Sequence, residues 1–593
     1  MSIEAIDVAR TDGGPLWVSA VSTPEGLEAW WDEPRPHEGG RRCVVRRTPD
    51  GRVEDVLPPG WNARNRVIEY GGRSWLPMPD GGLVFTNWAD QRVYRLAGGE
   101  ITPMTPEGTA RYADLYRPPG SDEIWAVRED HDERDIVALD GTNVTTLVKA
   151  QHFVMNPRLS PDGTMVAWIG WDHPNMPWDG TELCVAFLDD PSSRTVIAGG
   201  PGEAVVQAEW RDTGSLYAVT DPTGWWNLHV VGLDGDTRNL APLPMEFGDA
   251  VWKLGNTWFA VWGDKLVTLY GTADGRRLGV LDPETGKLSD LGGQASWWSS
   301  SVAVAGATAV GVAASPYEPS RVTAVDLASG AHTALSAAKP VPARELVPVP
   351  EPTVVEGVHT HLYRARDTPG PWLVFVHGGP TSSRPPVLDL EIAYFTTRGY
   401  GVAQVNYGGS TGYGRAYRER LRHQWGVVDV QDCAKVARGL VAMGLADASR
   451  IAVRGGSAGG WTTVAALAHT DVFAAGVAHY AITDPESWAA ETHDFESRYL
   501  DGLVGPLPET RERYIQRSPL LNASRVNAPC LMMHGLEDAI VDVGQAERFV
   551  AELDRHGKEW ALLTFPGEQH GWRREETIVA VLEAELDFYE ENL

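Results

Sequence analysis

The sequence predicts two domains, an all-β repeat domain over residues 1–340 and an α/β domain over 341–593. Three observations carry this. Up to about residue 340 the chain repeats short alternating strands between turns such as TPDG, SPDG, LDGD and ETGK. Beyond it, apolar strand-like runs alternate with helical segments. And 593 residues exceed what a single hydrophobic core organises.

In the first half, repeat units open near Trp17, Glu69, Arg111, Phe153, Ala204, Asp249 and Trp297. The clearest is NPRLSPDGTMVAWIGWD, a strand, a Pro-Asp-Gly turn and a second alternating strand. The spacing of roughly 40 to 50 residues suits a four-stranded propeller blade. The openings predict a β-propeller of about seven blades. Even turn spacing without helical periodicity argues against a sandwich pair or a solenoid.

Composition narrows the partners. Net charge is -29, which disfavours nucleic acid and anionic membrane and favours substrates bearing an amino group. No apolar stretch reaches membrane-spanning length, and MSIEAIDVARTDGG has neither a basic n-region nor an apolar h-region. The four cysteines, Cys43, Cys184, Cys433 and Cys530, form no C-x-x-C pair. A reducing, cytoplasmic setting is expected.

SAAKPVPARELVPVPEP, residues 336–352, reads as the connection between domains. After it, WLVFVHGG, GVAQVNY, RIAVRGG, AAGVAHY, PCLMMHG and WALLTF alternate with helical segments, as in a largely parallel sheet covered on both faces. RIAVRGG runs through Ser457 into AGGWTTVAALAH, so strand, glycine-flanked serine and helix follow without a gap. That is the G-x-S-x-G nucleophile elbow of an α/β-hydrolase. A phosphate loop would need Lys-Ser/Thr after the glycines, and a dinucleotide site would need G-x-G-x-x-G at the first βα unit.

A serine nucleophile needs a base and an orienting acid, in chain order serine, acid, histidine. His570, in the loop of WALLTFPGEQHGW, is the candidate base. His534 lies within a strand run, and His469 and His556 end helices, where a cation suits the dipole. For the acid, Asp538 follows the strand PCLMMHG and ranks ahead of Glu537, while Asp542 opens a capping box with Gln545. The oxyanion hole takes one N–H from Ala458 and one from Gly379 in the HGGP turn.

These motifs resemble the prolyl oligopeptidase family, in its acylaminoacyl-peptidase and dipeptidyl-aminopeptidase branch. The resemblance rests on VHGGP (376–380), NYGGSTGYGRAYRE (406–419), WGVVDVQD (425–432), GGSAGGW (455–461), HGLEDAIV (534–541) and EQHGW (568–572), in that order. It implies a propeller joined to an α/β-hydrolase domain, Ser457, Asp538 and His570 as the triad, and Gly379 and Ala458 as oxyanion donors. His377 stands where prolyl oligopeptidase and dipeptidyl-peptidase IV use a tyrosine, so a backbone amide takes that role here. The segment 479–503 looks like the family's specificity segment, with Tyr480, Ile482, Trp488 and Phe495 as candidate walls of a substrate pocket. Glu69, Glu129 and Glu246 are candidates to bind a free amine. Blade sequence begins near Trp17, so almost no N-terminal arm is expected.

The expected activity is a serine peptidase that cleaves short peptides or aminoacyl amides as an aminopeptidase, with substrate size limited by the propeller. The alternatives are an acylaminoacyl-peptidase, a hydrolase of puromycin-type aminoacyl-nucleosides, a carboxylesterase, and last a non-catalytic propeller binding protein. No metal and no cofactor is called for, and a homo-oligomer is left open.

Overall fold

The computed structural model describes residues 2–11, 13–364 and 368–593. Seven four-stranded antiparallel sheets occupy the first half, followed by one eight-stranded sheet. The blades begin at Val18, Trp75, Arg111, Phe153, Val205, Phe259 and Trp297. Two of them start later than the sequence repeats suggest, at Trp75 rather than Glu69 and at Phe259 rather than Asp249. The residues between are loops turned toward the second domain. They carry Tyr70 and Trp252, whose aromatic, turn-rich sequence looks like blade sequence.

The inner strands of the blades are buried on both faces, as at Trp125, Val127 and Ile136 of the third blade, all in the core. The ring closes by packing: Val18, Trp31 and Val45 of the first blade meet Val310, Val312 and Val322 of the seventh. Val18 N–H also donates to Ser301 Oγ at 2.9 Å.

In the eight-stranded sheet six strands, from Gly370–Val376 through Trp560–Phe565 and including Gly401–Asn406, are parallel to one another, with Ala446–Gly456 in the interior. Helices cover it, including Ala458–His469 and the C-terminal Glu575–Asn592. The arrangement sets the carboxyl ends of the strands as the site-bearing edge.

The N-terminus departs from expectation. Ala5–Thr11 is a helix, and Ala5, Val8 and Ala9 are buried with Ile392, Phe395, Ile578 and Val581 of the second domain. Arg398 Nη1 donates to the Ile3 carbonyl at 2.7 Å. The small side chains at positions 5 and 9 let this short helix approach closely, so a seven-residue arm packs on the second domain where almost none was expected.

Polar contacts fasten the domains along blades three to six. Arg415 makes a two-pronged pair with Asp221, its Nε and Nη2 each 2.9 Å from a carboxylate oxygen, and Arg418 Nη2 adds a bond of 2.8 Å. Further along, Arg134 Nη1 reaches Asp494 at 2.5 Å and His361 Nε2 reaches Asp274 at 2.9 Å. No helix among the described residues is long and apolar enough to cross a membrane.

Candidate active site

Ser457 joins the strand Ala446–Gly456 to the helix Ala458–His469 with φ 57° and ψ -121°. A non-glycine residue held there costs about 1–3 kcal/mol and persists only where its surroundings enforce it. The flanking glycines provide that enforcement. A Cβ on Gly455 would lie 2.5 Å from Gly459 backbone, and one on Gly459 would lie 2.3 Å from the Val376 carbonyl oxygen. Strand, turn and helix therefore touch backbone to backbone, and Ser457 N–H is tied to the His479 carbonyl at 3.0 Å.

Asp538 and His570 come together from two neighbouring strand ends. Asp538 Oδ2 accepts from His570 Nδ1 at 2.7 Å, while Oδ1 accepts from the N–H groups of Ile540 and Val541, both at 2.9 Å. Asp538 is buried. Burial alone would push its carboxyl up, but the His570 charge and hydrogen bond and the Val541 N–H outweigh it and hold the carboxyl below its usual value. Since a carboxylate only accepts, Nδ1 bears the proton and Nε2 is left as the basic nitrogen. Glu537 is exposed. Buried Glu568 holds the loop from below, Oε1 accepting from Arg573 N–H at 3.2 Å and Arg574 N–H at 2.9 Å.

Asp542 accepts from Gly544 N–H at 2.8 Å at the start of the helix Gly544–Arg555. The reciprocal half of the expected capping box is missing. Gln545 is fully buried, and its Oε1 accepts from Thr483 and Asp484 N–H instead, at 3.0 and 2.9 Å. His534 is also spoken for, donating to the Val541 carbonyl at 2.8 Å.

A cavity of about 820 Å³ contains Ser457 and His570 and is lined from both domains, by Gly378, Gly379 and Tyr480 on one side and Tyr70 and Trp252 on the other. Gly379 has φ 121°. The preceding His377 is buried and stacks on Tyr407 at 4.3 Å. Its Nδ1–H donates to the Gly378 carbonyl at 2.8 Å, so Nε2 accepts from the Ser410 hydroxyl at 2.7 Å. Burial pushes this imidazole down to about 3, so it stays neutral. Holding the Gly378 carbonyl also fixes the Gly379 N–H, which points the opposite way from the same peptide plane. Ala458 is the first residue of its helix, where an N–H has no partner within the helix.

Of the four expected pocket walls, Tyr480 lines the cavity, with φ 36° and its ring 4.7 Å from the His570 ring. Ile482, Trp488 and Phe495 are buried in the core and are not among the residues that line this cavity. Trp488 Nε1–H donates to the Ile540 carbonyl at 3.1 Å and so braces the loop that cradles Asp538. Phe495 lies edge-on to Tyr70 and Trp252 at 6.2 and 6.3 Å, one layer behind the wall.

The candidate amine-binding acids are likewise engaged. Glu69 pairs with Arg66 and Arg111, and Glu129 with Arg134 and Arg111. Glu246 accepts from Trp226 and Gly414 N–H. Burial raises Glu246 to about 7. His152, His173 and Asp494 bring donor atoms within 4.8 Å of one another. Arg134 already supplies the cation there, Nη1 lying 2.5 Å from Asp494 and 3.3 Å from His152 Nε2.

Residues 386–593 match the family model described as Prolyl oligopeptidase family. A puromycin-hydrolysing peptidase of Mycobacterium tuberculosis is 42% identical, with a TM-score of 0.96, over 100% of this chain and 96% of that one. The chain belongs to the prolyl oligopeptidase family. A second solved structure, a puromycin hydrolase, is 43% identical with a TM-score of 0.95, over 100% of this chain and 96% of that one. The acylamino-acid-releasing enzyme of Arabidopsis thaliana is 33% identical over 218 residues, 35% of this chain and 28% of that protein's length. Against such curated relatives the match spans under a third of their length. Prolyl oligopeptidase family members are serine peptidases, and this chain has both of the family's domains.

Tyr70, Trp252 and Ser410 were not singled out from the sequence. The loops that delay the second and sixth blades were the available signal for the first two. Ser410 lies within the quoted NYGGS motif, but its partner His377 is remote in sequence.

Proposed function

We propose that this chain is a serine aminopeptidase of the prolyl oligopeptidase family that cleaves aminoacyl amides and short peptides. The observation that carries the reading is the 2.7 Å bond from His570 Nδ1 to Asp538, in a cavity shared with Ser457 on its strained turn. Ser457 Oγ attacks the carbonyl as His570 Nε2 takes its proton and then gives it to the leaving amine. Asp538 holds the imidazole tautomer. Gly379 and Ala458 N–H groups receive the oxyanion, with the Gly379 peptide steadied by His377 and Ser410. Water then releases the acyl group by the reverse proton path.

For the free amine we assign Glu496. It is buried, accepts from the Tyr70 hydroxyl at 3.0 Å through Oε2, and pairs through the same oxygen with His493. Glu496 does not itself line the cavity, but its Oε1 accepts no hydrogen bond among the described residues and lies behind Tyr70, which does, so an ammonium group would reach it past that ring. The likeness to puromycin-hydrolysing relatives supports aminoacyl-nucleosides as substrates, since these present the same aminoacyl amide bond. Four free, buried cysteines support a reducing, cytoplasmic setting.

The test is a panel of phenylalanine anilide, its acetylated form, puromycin, an ester and a folded protein. Free anilide should exceed the acetylated form in kcat/KM by roughly tenfold, the worth of one charge-assisted hydrogen bond, and the folded protein should survive. Preference for the acetylated substrate would make this an acylaminoacyl-peptidase. Cleavage of the ester alone would make it a carboxylesterase.

A further inference from the structure

Behind the residues that line the catalytic cavity, Arg42, Arg64, Lys253 and Arg573 lie near enough for their charges to act on Lys253 and Arg64. Arg42 belongs to the strand Arg41–Arg47, and the Ala63 N–H bond to its carbonyl, 3.1 Å long, keeps Arg64 nearby. Lys253 lies in the loop before the sixth blade, which is pinned to the same region by Leu254 N–H to the Gly71 carbonyl at 3.2 Å. Arg573 comes from the other domain, just past His570. Its guanidinium donates to the carbonyls of His570 and Gly571, both at 3.1 Å, and Gly40 of the first blade packs so tightly on it that a Cβ there would lie 2.7 Å from Arg573 Cβ.

Among the described residues, Arg42 alone of the four has a carboxylate in contact, that of Asp32. Arg64 lies over the Trp88 ring at 4.1 Å. Neither its guanidinium nor the Lys253 ammonium makes a hydrogen bond or ion pair among the described residues. Burial, then the charges of Arg42, Arg64 and Arg573, pull Lys253 down to about 8; burial, then Arg573, Arg42 and Arg66, pull Arg64 down to about 9. Both side chains are half-buried, and their charges are set against one another inside a chain of net charge -29. An anion between them would relieve both the desolvation and the repulsion.

Position identifies the anion. Trp252, the neighbour of Lys253, lines the catalytic cavity and donates Nε1–H to the Thr381 carbonyl at 2.7 Å. Arg573 hangs from the carbonyl of His570 itself. His570 protonates the leaving amine, so the leaving group lies on the His570 side. When the substrate is a short peptide, that leaving group ends in an α-carboxylate. We propose that Lys253, Arg64 and Arg573 form a carboxylate site for the C-terminal end of the leaving segment, an inference that rests on cleavage at Ser457 as read above. The site selects peptides short enough for the carboxylate to reach it while the scissile bond is at Ser457. Substrates whose leaving group is neutral bypass it.

The experiment compares Phe-Gly-Gly with its C-terminal amide, using phenylalanine anilide as a substrate without a carboxylate. In the wild type kcat/KM for the acid should exceed that for the amide tenfold or more. Lys253→Met and Arg64→Gln should each remove most of that ratio with anilide turnover within about twofold of wild type, and Lys253→Arg should retain it. Calorimetric binding of both tripeptides to the Ser457→Ala protein should show the same preference without turnover, and needs neither neutral variant to fold. An acid-to-amide ratio near one, in wild-type kinetics or in that binding, overturns the site, as does an unchanged ratio in both neutral variants. Absence of anilide hydrolysis by the wild type would instead defeat the peptidase reading, while the binding comparison still decides the site.

Discussion

The two domains face one cavity with different kinds of chemistry. The hydrolase side supplies groups fixed by backbone geometry: Ser457 at φ 57°, Gly379 at φ 121° and the paired Asp538 and His570. The propeller side supplies side chains from loops between blades, Arg64, Tyr70, Trp252 and Lys253. In the proposed mechanism the first set determines whether a bond is cut, and the second which molecule is held while it is cut. The domain contacts follow the same division, since the ion pairs at Asp221, Asp274 and Asp494 align the two walls without entering the cavity's chemistry.

This division predicts that changes to the catalytic groups of the hydrolase wall lower kcat on every substrate, whereas changes in the propeller loops, or at Glu496 and Arg573 that the hydrolase domain adds to them, alter ratios between substrates. Asp538→Asn should have the largest effect, a fall in kcat of about 10⁴-fold from loss of the imidazole tautomer, measured on the anilide with the melting curve as a folding control. Ser410→Ala comes next. Without its hydroxyl, His377 Nε2 loses its donor and the Gly378–Gly379 peptide loosens, so kcat should fall roughly tenfold with KM nearly unchanged, about 1.4 kcal/mol of transition-state stabilisation. A rise in KM at constant kcat would place Ser410 on the specificity side and break the comparison.

Glu496→Gln should move selectivity more than rate. The advantage of free over acetylated phenylalanine anilide, about tenfold in the wild type, should shrink toward one while the acetylated substrate is cleaved as before. An unchanged ratio removes Glu496 from amine recognition. Asp542→Asn should do least, leaving kcat intact and costing at most about 1 kcal/mol in denaturant unfolding, since an Asn side chain still accepts from Gly544 N–H.

How far these roles were legible in the sequence depends on how local they are. Blade count followed from turns that recur along the chain, and the elbow from six consecutive residues whose glycines have a steric reason to be there. Asp538 was separated from Glu537 and Asp542 by its place just past a strand end, and the observed bond to His570 is with that residue. Pocket walls were less legible. Trp488 and Phe495 lie in the segment that follows the correct strand, but large aromatics bury for packing wherever room exists, and both lie behind the surface that substrate meets. The Glu69 and Glu129 carboxylates are consumed by arginines distant or adjacent in sequence, and no local pattern announces that pairing. The N-terminal helix was missed because its few buried residues gain meaning only against Ile392 and Ile578, from the far end of the chain.

The most direct test of the central claim is labelling with a fluorophosphonate, mapped by mass spectrometry, on wild-type and Ser457→Ala protein of matched thermal stability. One label per chain is expected on Ser457, with loss of anilide and puromycin turnover in step with labelling, and neither label nor turnover in the variant. A label on another residue of the wild type, or turnover persisting in Ser457→Ala, would contradict it.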